Sequence, residues 1–90
     1  MENRFEFDKE IQKSLLQQIE SILIPSKVEN NGGDILMICN KDLESEFTIE
    51  VCLEYAEFFY FKGYKFFDRR DDYYIENVLS LLMNLINQNK

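Results

Sequence analysis

Ninety residues with a formal net charge of −7 allow one domain with a modest core, and the charge opposes general binding to phosphate backbones or anionic lipid. Hydrophobic residues make up 46% of the chain, which argues for a folded protein rather than a disordered one. Histidine is absent, so the usual general base, the Ser–His and Cys–His nucleophile pairs and the commonest zinc ligand are excluded.

The first residues, Met1-Glu2-Asn3-Arg4-Phe5-Glu6, are polar and acidic and carry no signal-peptide pattern. No apolar run approaches the ~20 residues of a membrane span, and a cytoplasmic location without membrane contact is expected. Asp8 reads as the cap of a helix over about residues 8–24, with Ile11, Leu15, Ile19, Ile22 and Leu23 on one face. Pro25 ends it, because proline cannot continue the hydrogen-bond ladder. Residues 25–34 read as a loop by their Asn and Gly punctuation.

The middle of the chain admits two readings. Phe47, Ile49, Val51, Leu53 and Tyr55 alternate with Thr48, Glu50 and Glu54, the pattern of a half-buried strand, and Asp34-Ile-Leu-Met-Ile-Cys39 would be its hairpin partner. As a helix, Glu46, Glu50, Glu54 and Glu57 fall within about 80° of one another and the rest of the circumference is nearly all apolar. No Gly or Pro occurs between Leu43 and Lys62, a stretch much longer than the ~5–6 residues usual for a strand. That length favours a long central helix over about 43–67, beside a short apolar segment at 35–39. Asp71 or Asp72 then caps a C-terminal helix over about 71–87, whose stripe is Ile75, Val78, Leu79, Leu82, Leu85 and Ile86. The expected fold is a compact all-α bundle of about three helices, in one domain covering 1–90. The alternative is α+β, with an antiparallel hairpin between the end helices.

The two cysteines, Cys39 and Cys52, lie in apolar surroundings and are expected as free thiols. No P-loop, dinucleotide fingerprint, calcium loop or Gly-x-Ser-x-Gly setting is present, so no cofactor, metal or catalytic residue is assigned and the protein is not expected to be an enzyme. The strongest constellation is acidic: residues 42–61 hold six carboxylates and no cation. A solvated face is the plain reading of such a run. The alternative is a docking surface for a basic partner protein, with Glu46, Glu50, Glu54 and Glu57 as its acids and Tyr60 and Tyr64 as rigid contacts at its edge.

Eight of the thirteen aromatic residues fall between Tyr55 and Phe67. A small bundle has trouble covering rings on two faces of one helix, so the segment is either the centre of a self-contained core or a surface for a protein partner or self-association. Lys62, Lys65, Arg69 and Arg70 cluster nearby, but Asp68, Asp71 and Asp72 surround the arginines, so nucleic acid is not the expected ligand. The functional expectation is a small acidic, non-enzymatic interaction module. Its Asn- and Ile-rich composition suits an AT-rich source, and a phage or mobile-element regulator or inhibitor fits its size. The alternative is a structural homo-oligomer that buries its aromatic segment against a second copy.

Overall fold

The computed structural model describes residues 4–39, 47–60 and 63–88, with the backbone alone at residues 4, 5 and 88. It overturns the helical bundle: the chain is α+β, and its described residues form five antiparallel strands between two helices. Helix α1 spans Arg4–Ile22, and the strands are β1 Lys27–Asn31, β2 Asp34–Cys39, β3 Phe47–Val51, β4 Tyr55–Tyr60 and β5 Gly63–Asp68. Helix α2 spans Tyr74–Gln88. The strands lie side by side in chain order, each antiparallel to its neighbour.

The expected central helix over 43–67 is replaced by β3, β4 and β5. Phe47, Ile49 and Val51 are buried while Thr48 and Glu50 are half-buried, a period of two that a helix would not produce. The break that length seemed to exclude is a turn without Gly, Asn or Pro. Residues 52–54 reverse the chain, and the Cys52 N–H donates to the Tyr55 carbonyl at 2.8 Å. The hairpin of the alternative reading is real, with Met37 opposite Ile49 and Cys39 opposite Phe47.

The expected loop over 25–34 also contains a strand. Asn31 and Asp34 pair across a two-residue turn of Gly32 and Gly33, at φ 65° and 100°. Positive φ at both central residues is the type I′ geometry whose twist matches a hairpin. The Asn30 side chain steadies this turn by accepting the Gly33 N–H at 3.0 Å.

Both end helices are present. Helix α1 begins before Asp8, so Asp8 lies within it rather than capping it. Helix α1 stops at Ile22, ahead of Pro25. Asp71 does mark the approach to α2: its Oδ1 accepts the Tyr73 N–H and its carbonyl the Tyr74 N–H, each at 3.1 Å.

Leu15 and Ile19 of α1 and Val78, Leu82 and Leu85 of α2 share one core with Met37, Phe47, Ile49, Val51, Ala56 and Phe58 of the sheet. Burying each large side chain contributes about 1.5–3 kcal/mol. Because strand residues alternate in direction, both helices cover the same face of the sheet. Their stacking on one side leaves the other face bare of any other described element.

Candidate protein-docking face

Paired residues on neighbouring strands point to the same side, so the register maps the bare face directly. One row across it runs Lys27, Ile38, Thr48, Phe59, Tyr64. The next runs Glu29, Leu36, Glu50, Glu57, Phe66. Beyond it Asp34 closes one end, and Tyr55 stands opposite Asp68 at the other. Phe59, Tyr64 and Phe66 are 45%, 51% and 49% exposed, a concentration of rings that stable monomers seldom leave in water.

The rings are organised around the acids. Phe59 and Tyr64 approach to 5.1 Å between centroids, and Tyr55 stacks on Phe66 at 5.3 Å. Glu57 lies between Tyr55 and Phe59 on β4, and Glu50 of β3 stands directly opposite it. The Tyr64 hydroxyl donates to Glu57, which raises the phenol's pKa and fixes the carboxylate's direction.

Other acids on this face have cations of their own. Lys27 pairs with Glu29 at 2.9 Å, and Arg70 with Asp68 at 2.8 Å. The Arg70 hydrogen bonds hold the Asp68 carboxyl down at about 2. Among the described residues no lysine or arginine pairs with Glu50 or Glu57. Like charges directly opposite in a sheet are unfavourable, so the centre of the face is anionic at a cost to stability.

Asp34, Glu50 and Cys52 bring one ligand atom each within 4.8 Å of one another at the edge of the face. The Cys52 thiol is pushed up to about 11, chiefly by burial, and so stays neutral there. Tyr55 is hydrogen-bonded to Cys52 and is pushed up to about 12, that contact being the main cause. Cys39 and Cys52 are free and buried, as expected.

The helical acid stripe does not exist, because its described members Glu50, Glu54 and Glu57 lie on β3, in the following turn and on β4. Glu50, Glu57 and Tyr64 come together on the bare face. Glu54 is exposed in the β3–β4 turn, at a pocket of about 180 Å³ shared with Tyr55, Phe66, Asp68, Arg69 and Arg70. Tyr60 faces the helices and packs against the core, so it is not an edge contact. Glu46 lies outside the described residues.

The basic cluster is dispersed as well. Lys62 lies outside the described residues, Arg69 is paired with the buried Asp8, and Arg70 with Asp68. Lys65 lies within β5, and Arg69 and Arg70 follow it. Sequence reasoning did not name Leu36, Tyr55, Phe59 and Phe66 as site residues, and alternation alone would not find them. Glu50 and the Tyr55-Glu57-Phe59 set have opposite parity and share a face only because the three-residue turn at 52–54 switches it.

No helix of the described residues is long and apolar enough to cross a membrane. No protein-family model, curated protein or solved structure matches the chain.

Proposed function

We propose that the protein is a small non-enzymatic interaction module that docks a basic surface of another protein on its bare sheet face. The observation that supports this reading is the pair Glu50 and Glu57, without a paired cation among the described residues, set among exposed aromatic rings. Rings supply contact area at small entropic cost, and charge complementarity selects the partner and speeds encounter. Self-association through the same face is disfavoured by the same feature. Two copies docked across a two-fold axis at the Glu50–Glu57 pair would set four carboxylates against one another.

The test compares capture by the wild-type protein with capture by a Glu50→Lys/Glu57→Lys variant and by Ile24→Ser, an exposed apolar position off this face. A partner retained by wild type and Ile24→Ser, lost with the lysine variant and released as salt rises supports the reading. Equal retention by all three overturns it. So does a stable dimer of the isolated chain that dissociates on Phe59→Ser/Phe66→Ser, which would make the face a seam between copies.

A further inference from the structure

The bare face has a more specific shape than an acidic patch. Glu50 and Glu57 are directly opposite, which puts their Cβ atoms about 4.5–5.5 Å apart. The pair is bordered by the Phe59–Tyr64 rings on one side, the Tyr55–Phe66 rings on the other, and Leu36 beyond Glu50. The floor is a sheet, fixed by backbone pairing rather than by a loop. Tyr64 holds Glu57 in place, so one carboxylate is oriented before anything binds.

We infer that this face receives an arginine side chain of the partner, with its guanidinium between Glu50 and Glu57 and its flat faces toward the ring pairs. The inference rests on the docking reading above and names the group that anchors it. Arginine fits for three physical reasons. Its planar fork offers parallel N–H donors to two carboxylates, where an ammonium presents a compact point charge. It is more weakly hydrated than lysine, so moving it against rings costs less. Its cation gains further from aromatic faces within about 6 Å of a ring centroid. Its charge also offsets the repulsion that the empty pair carries. Leu36 and Ile38 are half-buried on the same face and suit an apolar residue beside the arginine.

The test uses a capped peptide with one arginine between leucines, its lysine counterpart, and its citrulline counterpart, which keeps the shape but loses the charge. Backbone amide spectra of the labelled protein report where each binds. The arginine peptide is expected to shift amides of residues 48–50, 57–59 and 64–66 in a saturable way. The lysine peptide should bind several-fold more weakly and the citrulline peptide should leave those amides unmoved. Glu50→Gln/Glu57→Gln should abolish the arginine response while its spectrum stays dispersed, and Glu20→Gln on α1 should leave the response unchanged.

Equal response to citrulline overturns the inference, as does an undiminished arginine response in the double glutamine variant. The two readings fail separately. A partner protein whose binding needs Phe66 but ignores Glu50→Gln/Glu57→Gln leaves the docking face standing and removes the arginine. A partner indifferent to Phe59 and Phe66 removes both.

Discussion

Asp8 of α1 forms an ion pair with Arg69 of the β5–α2 connection, and both side chains are nearly withdrawn from solvent, at 3% and 11% exposure. This joins the first helix to the far edge of the sheet, sixty-one positions along the chain. The Arg69 guanidinium also lies 5.4 Å from the Phe7 ring centroid, and its backbone N–H donates to the Glu54 carbonyl at 3.0 Å. Removing one member of a buried pair leaves the other charge uncompensated, which costs about 3–5 kcal/mol. Asp8→Ala and Arg69→Ala should each lower urea-unfolding stability by that order. An apolar replacement of both, Asp8→Leu/Arg69→Met, should cost much less than the sum of the single changes. Additivity of the two would show that the pair is not coupled.

The β1–β2 hairpin depends on backbone conformations that L side chains rarely adopt. Gly32 and Gly33 face open space, so an added Cβ meets no neighbour, and the strain comes from φ alone. Gly33→Ala, at φ 100°, should destabilise by about 1 kcal/mol or more, and Gly32→Asn, near the left-handed region asparagine tolerates, should cost less. The same changes should speed amide exchange in Lys27–Asn31 before the rest of the sheet. Uniform exchange would separate the turn from the stability of this edge strand.

Gly63 is constrained differently. A Cβ there would lie 2.0 Å from the Tyr60 ring, its partner across β4 and β5. Gly63→Ala should force Tyr60 out of its packing against the core and shift its ring resonances. Tyr60→Ala in the same chain should remove most of the added cost of Gly63→Ala. Unchanged Tyr60 resonances in Gly63→Ala would refute the close approach.

These particular residues explain which parts of the fold the sequence disclosed. The end helices were legible because Leu15 and Ile19, and Val78, Leu82 and Leu85, recur at helical spacing and meet one core. The centre was not, although Phe47, Ile49 and Val51 alternate plainly. The turn at 52–54 has none of the residues that punctuate turns, so an interrupted pair of strands resembled one long helix. Strand β1, Lys-Val-Glu-Asn-Asn, was hidden by composition, since an edge strand that leaves most of its residues exposed needs no hydrophobic pattern. Half of the bare sheet face was visible as carboxylates and a tyrosine. Its geometry was not, because Glu50 and Glu57 are seven positions apart and become neighbours by register alone.

Burial also predicts a pH dependence. Cys39 and Cys52 are both pushed up to about 11, burial being the largest cause, whereas an unfolded thiol titrates near about 8.5. A raised folded pKa means that the native state keeps the proton the unfolded state releases. This contribution to stability is complete below the unfolded pKa and is lost as pH rises toward about 11. Urea-unfolding free energy should therefore fall through that alkaline window, and Cys39→Ala/Cys52→Ser should shallow the fall. Both thiols should resist alkylation at neutral pH until denaturant is added. Fast alkylation of the native chain would contradict their burial.

The Glu50–Glu57 pair makes a prediction opposite in sign to most substitutions. A directly opposed pair of like charges costs the sheet about 0.2–1 kcal/mol, and replacing one partner by a neutral residue of the same shape removes that cost without opening a cavity. Glu50→Gln is the cleaner choice, because Glu57 also accepts the Tyr64 hydroxyl and its replacement disturbs a second contact. Glu50→Gln should raise unfolding stability at low salt and raise it less at molar salt, where the wild-type repulsion is already screened. A stabilising change that removes binding would show that the carboxylate is maintained for the partner rather than for the fold. If Glu50→Gln destabilises the chain equally at both salt concentrations, the carboxylate has a structural role, and the anionic centre of the face is not held at a cost.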